Sequence, residues 1–259
     1  TTVALIGPAT VVSATNETTS GIITGTETWS GSHQLTDDVS VAAGAKLIIE
    51  PGTTITFPNG TMLDVRGNLC AGVSACGASG NAGANNPITL TWTEPAVSNA
   101  TGECYGLGSG NSKIWIRDSS CGEGVILRDS MDLSQSGMRN MHFNGAWGIP
   151  FYVQLEYEYR YGALIIDGAS PTLRGMKFND INTTSVLATN LAQPTFIGGE
   201  YVAGNDERSG VTGQAVQVYG GGTPISPMIF EGASFQSTNK GCGNRDGGRS
   251  AIWASQTFI

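Results

Sequence analysis

The chain alternates apolar and polar residues in very short runs, and a glycine turn closes each run. Between Leu35 and Phe57 the alternating pairs are Val39/Val41, Leu47/Ile49 and Ile55/Phe57, and the turns between them are Ala43-Gly44 and Pro51-Gly52. Alternation with a period of two predicts β-strands, and strands of about three to five residues are too short for an ordinary sandwich. They are typical of a solenoid, in which each coil contributes two or three short strands to stacked parallel sheets.

An internal repeat in the second half of the chain indicates the same architecture. Residues 138–144 align with residues 173–179, and further copies cover residues 194–201 and 228–235. The aromatic anchors of the four copies are Phe143, Phe178, Tyr201 and Phe235. Their spacings of 35, 23 and 34 residues fit coils of variable length. We therefore expect the four rings to point inward in one ladder, within a stack of about nine or ten coils.

The segment from Val41 to Phe57 contains the pattern Val-x-x-Gly-x-x-Leu-x-Ile-x-Pro-Gly-Thr. It resembles the opening coils of right-handed parallel β-helix proteins of the pectate-lyase-like superfamily, especially those on bacterial and archaeal surfaces. The resemblance implies an all-β fold, a right-handed parallel β-helix solenoid with irregular loops on one side. We assign residues 35–259 to this domain, which is open to continuation past Ile259, and residues 1–34 to an N-terminal strand, cap or arm. Because the superfamily includes lyases, hydrolases, adhesins and inert fibres, the resemblance assigns no activity.

Composition narrows the classes of partner. Only 13% of the residues are charged, and the net charge is −8. Nucleic-acid binding needs clustered Lys and Arg, so no nucleic-acid partner is expected. No apolar run approaches the roughly 18–20 residues that cross a bilayer, so membrane insertion is not expected either.

Sequons suggest a location outside the cytosol. The pattern N-x-[ST] makes four asparagines candidate glycosylation sites, namely Asn16, Asn59, Asn99 and Asn182. Such sites are used on secreted and cell-surface proteins.

The cysteines point to the same compartment. Cys70 and Cys76 bracket a short Gly/Ser/Ala loop, and Cys104 and Cys121 bracket a second glycine-containing loop. Local loops closed by cysteines are typical of disulfides in an oxidising compartment, so each pair is predicted to be bonded. Cys242 is left over, either as a buried thiol or for pairing with another chain or with sequence past the given one.

Motifs for catalysis or metal binding are missing from the sequence. Polysaccharide-cleaving members of the resembled superfamily use an Asp/Glu cluster with calcium and a basic residue, or the motifs Asn-Thr-Asp, Asp-Asp and Gly-His-Gly. Only Asp37-Asp38 matches any of these, and the chain has two histidines and no double CxxC spacing. We therefore predict no catalytic residue, no metal and no cofactor. A carboxylate pair for glycoside hydrolysis stays open, although a solvated acidic loop is the favoured interpretation. The candidate residues are Glu156, Glu158, Asp167, Asp180, Asp206 and Glu207.

The most aromatic stretch is residues 151–161, with the sequence Phe-Tyr-Val-Gln-Leu-Glu-Tyr-Glu-Tyr-Arg-Tyr. As one extended strand it places Tyr152 on the face opposite Tyr157, Tyr159 and Tyr161. The favoured interpretation is an amphipathic strand whose apolar face packs on the core. In the alternative, the tyrosines contact sugar rings or another subunit. Because an eleven-residue strand is unusual among short coils, a protruding hairpin or edge strand also stays open.

These patterns favour an extracellular structural or adhesive protein, such as a fibre subunit, surface-layer module or adhesin module, that is secreted or held at the cell surface. The expected partner is a second copy, in a fibre or layer, or a cell-surface polysaccharide. Self-association through the ends is expected because residues 250–259 are strand-like and have no polar cap. The alternatives are a polysaccharide-active lyase or glycoside hydrolase, and a carbohydrate-binding module.

Overall fold

Short strands recur in groups of three, and glycine or asparagine at positive φ lies at several of the turns between them. A computed structural model of the chain describes residues 18–58, 60–72, 86–92, 122–133, 136–146, 148–153, 158–181, 183–203, 205–206, 211–212, 214–219, 228–237 and 252–255. Coils 1 and 2 contain β1 (Gly21–Ile23), β2 (Thr26–Trp29), β3 (Ser32–Gln34), β4 (Val39–Val41), β5 (Lys46–Ile49) and β6 (Thr54–Phe57). Coils 3 and 4 contain β7 (Met62–Val65), β8 (Asn68–Ala71), β9 (Ile88–Trp92), β10 (Gly124–Arg128), β11 (Gly137–Arg139) and β12 (Met141–Asn144).

The later coils follow the same plan with two added hairpins. Strand β13 (Ile149–Val153) precedes coil 5, which contains β14 (Glu158–Asp167), β15 (Thr172–Arg174) and β16 (Lys177–Asn179). Coil 6 contains β17 (Thr184–Thr189), β18 (Thr195–Ile197) and β19 (Glu200–Ala203), and is followed by β20 (Asn205–Asp206) and β21 (Val211–Thr212). Coil 7 contains β22 (Val216–Tyr219), β23 (Ile229–Glu231) and β24 (Ser234–Ser237), and β25 (Ile252–Ser255) opens an eighth coil.

Each coil places one strand in each of three long sheets. Sheet A has the order β1-β4-β7-β10-β14-β17-β22-β25, sheet B the order β2-β5-β8-β11-β15-β18-β23, and sheet C the order β3-β6-β9-β12-β16-β19-β24. Neighbouring strands along these orders are parallel, whereas β13 pairs with β14 and β20 with β21 in antiparallel hairpins. The predicted all-β parallel β-helix is confirmed. No helix in the described ranges is long and apolar enough to cross a membrane.

Three features of the prediction can be compared with individual coils. The pattern from Val41 to Thr53 forms coil 2, with Gly44 and Gly52 at its corners. Residues 21–34, within the segment predicted as strand, cap or arm, are the strands of coil 1. The described residues form seven coils and one strand of an eighth, against the nine or ten coils expected for the chain. Some coils are much longer than predicted: the register partner of Leu63 in the next coil is Val125.

The core lies between the three sheets and contains the predicted aromatic ladder. Phe143 and Phe178 are register partners in sheet C, and so are Tyr201 and Phe235. Their rings stack at centroid distances of 4.7 Å (Phe143–Phe178), 5.4 Å (Phe178–Tyr201) and 5.1 Å (Tyr201–Phe235). The first three side chains are fully buried and Phe235 is partly buried. The inward ladder and the repeat alignment are therefore confirmed.

The corner between sheets B and C has a conformation that restricts its sequence. Gly175, Gly198 and Gly232 occupy the same corner in successive coils, with φ of 59°, 60° and 63°. A Cβ at each would meet nothing within 4 Å, so the positive φ and not lack of space favours glycine. Asn140 occupies this corner in coil 4 with φ 50°, because asparagine tolerates the left-handed region better than other residues with a side chain. The same corner conformation therefore recurs in coils 4 to 7, with asparagine in place of glycine in coil 4.

Candidate functional site

The C-terminal end of the stack exposes the apolar interior of the β-helix. Strands β23 and β24 are the last strands of sheets B and C among the described residues. On β23, Phe230 takes an inner position as the register partner of the buried Phe196 and is 38% exposed, whereas Ile229 lies on the outer face opposite Thr195 and is 55% exposed. Phe230 stacks on Phe196 of coil 6 at 4.9 Å and meets Phe235 edge-on at 5.2 Å. The face of this end is therefore a cluster of aromatic side chains that continues the core.

The N-terminal end is polar at the equivalent positions. Glu27 is the register partner of the buried Leu47, so it takes an inner position of coil 1. Its carboxylate accepts hydrogen bonds from the backbone N–H and hydroxyl of Thr18 and from Nε1 of Trp29, the last at 2.7 Å. His33, also an inner residue, stacks on Trp29 at 4.2 Å and places Nε2 3.1 Å from the carbonyl oxygen of Thr18. These partners close the core with satisfied polar groups.

A line of alternating charges lies on the outer face of sheet A. Arg128 on β10 donates from Nε to Asp64 on β7 at 2.9 Å and from Nη1 to Asp167 on β14 at 2.9 Å. The side chains of Asp64, Asp167 and Arg128 are only 9%, 19% and 26% exposed. Arg66 adds a contact of 3.2 Å to Asp64, and Asn190 donates to Asp167. We call Asp64, Arg128 and Asp167 the ion-pair ladder.

The ion-pair ladder differs from a glycosidase carboxylate pair. Such a pair needs two carboxylates facing a free space of roughly 5–10 Å, with one able to hold a proton. Here a guanidinium lies between Asp64 and Asp167 and binds both. The neighbouring Asp38 is different: burial raises its pKa, the hydrogen bond from the Met62 N–H lowers it, and the charges of Asp37 and Asp64 raise it further. The described residues contain no group of three or more His, Cys, Asp or Glu that could hold a metal.

The aromatic stretch forms a hairpin, so the single eleven-residue strand was wrong and the hairpin alternative is confirmed. Strands β13 and β14 pair with Tyr152 opposite Tyr159 and Val153 opposite Glu158. These two tyrosines, placed on opposite faces by the single-strand prediction, are thus cross-strand partners. Tyr161 is half-buried, while Tyr157 lies outside the described residues.

The hairpin covers a second apolar cluster outside the main core. Ile149 and Val153 of β13 pack with Ile126, Ile165 and Leu187, which alternate with the inward residues of sheet A. All five side chains are buried. The outer face of sheet A is therefore apolar in coils 4 to 6 and polar at the ion-pair ladder beside it.

Other predicted sites fall partly outside the described residues. Cys70 is disulfide-bonded and fully buried. Its predicted partner Cys76 lies outside those residues, as do Cys104, Cys121, Cys242 and the sequon asparagines Asn16, Asn59, Asn99 and Asn182. Both pairings and the use of the sequons stay predictions. Of the other predicted acidic residues, Asp180 is exposed at a turn with φ 51°.

Sequence reasoning missed Glu27 and the ion-pair ladder. Glu27 lies in a Thr-rich segment without clear alternation, so its inward position was not readable. Asp64 and Arg128 are far apart in sequence, and their contact depends on the register of β7 with β10. The only signal in the sequence for this contact was a charged residue at an outward position of each strand, Asp64 on β7 and Arg128 on β10. No protein family, no curated protein and no solved structure matches the chain.

Proposed function

We propose that this chain is a non-catalytic structural or adhesive module of the cell exterior, such as a fibre subunit, surface-layer module or adhesin module, and that it self-associates through the ends of its β-helix. The observation that carries this proposal is the exposed apolar end formed by β23 and β24. Terminal strands offer backbone N–H and C=O groups to another chain unless they are covered. Exposed clusters of large apolar side chains mark interaction sites.

The proposed location outside the cytosol rests on one residue, the disulfide-bonded Cys70. The disulfide at Cys70 supports a secreted or cell-surface location, because disulfides persist in oxidising environments. Ancestry in the pectate-lyase-like superfamily is part of the same proposal. Its support is the Val41–Thr53 pattern, which forms coil 2 of a parallel β-helix.

The ion-pair ladder supports a structural role over a catalytic one. Asp64 and Asp167 both accept hydrogen bonds from Arg128, so this guanidinium occupies the space between them that a substrate would need. A polysaccharide-active site would have to be built elsewhere in the molecule.

A carbohydrate-binding module is the second candidate, favoured by the β13–β14 hairpin. This hairpin is antiparallel within a parallel solenoid and contains the cross-strand pair Tyr152 and Tyr159. Tyrosine rings stack on the apolar faces of sugars. The partner would then be a cell-surface polysaccharide.

Two measurements on the full chain separate these functions. Sedimentation velocity over a hundredfold range of protein concentration should show species above the 26.9 kDa chain mass, and electron microscopy should show particles that grow in length at constant width. A monomer at every concentration would contradict self-association. Retention on immobilised bacterial polysaccharides, lost in the Tyr152→Ala/Tyr159→Ala variant, would favour the second candidate.

A further inference from the structure

The two ends of the β-helix differ in polarity, and this limits how copies can meet. Inner positions of coil 1 include Glu27 and His33, both with polar partners. Inner positions at the other end are filled by Phe230, Phe235 and Ile252. Direct stacking of the first end on the second would press a carboxylate and an imidazole against aromatic rings. Burial of a carboxylate is unfavourable unless an opposite charge pairs with it, and the partners of Glu27, Thr18 and Trp29, are neutral.

An apolar strand between the two ends would remove this mismatch. It would pair with the backbone of β23 and place apolar side chains against Ile229 and Phe230. Addition of a strand to a sheet edge is a common mode of protein association, in which main-chain hydrogen bonds provide affinity and side chains provide specificity.

The chain contains a segment of the required chemistry at the required end. Residues 1–16 carry no charged side chain, and eight of them are Val, Thr or Ile, which favour strands. One residue, Glu17, separates the segment from Thr18, which bonds to Glu27 at the N-terminal end of the stack. At about 3.3 Å per residue, it can extend roughly 50 Å from Thr18, more than the length of any strand in the fold.

We propose that residues 1–16 of one copy add as a strand to the edge of β23 in a second copy, so that copies join head to tail. This inference rests on the proposed self-association and names the contact that produces it. Each copy then supplies a donor segment at one end and an acceptor edge at the other. The resulting contact is heterologous, and a heterologous contact that does not close into a ring propagates into a filament.

Three full-length variants test the contact. The donor variant is Leu5→Asp/Val11→Asp, with one charge on either side of Pro8. The acceptor variant is Ile229→Asp, chosen because the Ile229 side chain is 55% exposed and its replacement leaves the Phe196–Phe230 stack intact. The control is Leu133→Asp, a residue 41% exposed in coil 4, far from either end. Circular dichroism and thermal unfolding establish that all three fold like the wild type.

The decisive readout is sedimentation of each variant alone and of the two end variants mixed. We expect wild type and the control to form large assemblies, the donor and acceptor variants each to lose every species above the monomer, and their equimolar mixture to form particles of twice the chain mass and no larger. In that mixture the donor variant keeps an intact acceptor edge, and the acceptor variant keeps an intact donor segment. One contact can therefore form between the two chains, and neither chain can bind a third.

Other results overturn the inference in distinguishable ways. A donor variant that assembles like wild type would show association through the ends without residues 1–16, leaving the proposed function standing. A donor variant that stops at a dimer would indicate contact between two C-terminal ends. A monomeric mixture would exclude donor–acceptor pairing, and a monomeric wild type would remove self-association itself.

Discussion

Phe143 and Phe178 face each other across adjacent coils, as register partners in sheet C with ring centroids 4.7 Å apart and an interplanar angle of 17°. They lie 35 residues apart in the sequence, so the stack joins segments that share no local contact. Every coil from the fourth to the seventh contributes one ring to this column. The ladder is therefore a main source of cohesion between coils.

Removal of one ring should weaken the whole stack. We expect Phe178→Ala to lower the free energy of unfolding by about 3–5 kcal/mol, because the ring is fully buried between two others and its loss leaves a cavity. Chemical denaturation followed by circular dichroism measures the change. Thr172→Ala, at an exposed position of the same coil, should change it by no more than about 0.5 kcal/mol. Equal losses in both variants would show that the ring has no special role.

The ion-pair ladder should be sensitive to removal of its central cation. Arg128→Met leaves the carboxylates of Asp64 and Asp167 close together, and we expect a loss on the order of 3 kcal/mol. Lys177→Met is the matched control, because the Lys177–Glu200 pair is 39% and 53% exposed and should contribute at most about 1 kcal/mol. Denaturation of both variants gives the comparison. If charge is responsible, Asp64→Asn/Asp167→Asn should recover much of the Arg128→Met loss.

The half-buried Asp38 predicts that its substitution stabilises the protein in a pH-dependent way. Its folded-state pKa lies above the ordinary value of 3.8, mainly because burial disfavours the charged form, so stability contributed by its protonated form is lost as pH rises through the folded pKa. Asp38→Asn should therefore stabilise the protein at neutral pH and make little difference below the ordinary pKa. The amide oxygen can still accept from the Met62 N–H. Thermal unfolding across this pH range tests the trend, and Asp180→Asn at an exposed turn should show no such trend.

His142 should make stability fall in mild acid. Burial and the nearby charge of Lys177 hold its pKa below the ordinary value of 6.5, although Glu200 opposes them. The unfolded chain then takes up the proton first, so stability decreases as pH falls below that ordinary value. Thermal unfolding between about pH 8 and pH 5 should show a smaller decrease for His142→Gln than for wild type. Lys177→Met should also reduce the decrease; an unchanged slope in both variants would contradict this assignment.

The cysteines provide a prediction independent of the fold. We expect Cys70 to be bonded to Cys76 and Cys104 to Cys121, each closing a local loop. Peptide mapping by mass spectrometry under non-reducing conditions identifies the linked pairs. Bonds between the two loops would keep the compartment inference and overturn the connectivity, whereas free thiols at Cys76, Cys104 and Cys121 would overturn both.

Sequence patterns predicted the parts of the fold that repeat. Alternation around Leu47 and Ile55 identified strands, and the spacing of aromatic residues identified the ladder before any coordinates. The hairpin was harder to predict because residues 151–161 alternate without an internal glycine or proline that would separate β13 from β14. The contact of Arg128 with Asp64 was beyond reach, because it depends on a register across a long interval of sequence.

The pairing of Leu63 with Val125 has a consequence for how such a chain can change over time. Sixty-odd residues separate these partners, yet β7 and β10 meet in the same register that joins the much closer Val39 and Leu63. The parallel pairing of two coils does not depend on the length of chain between the paired strands, provided that the chain returns to the next strand. Most of that interval connects β9 to β10, and we expect natural variants of this protein to accumulate insertions, deletions and substitutions there while the strands on either side stay constant. Selection can thus change the residues between β9 and β10 without changing the β-helix that carries them.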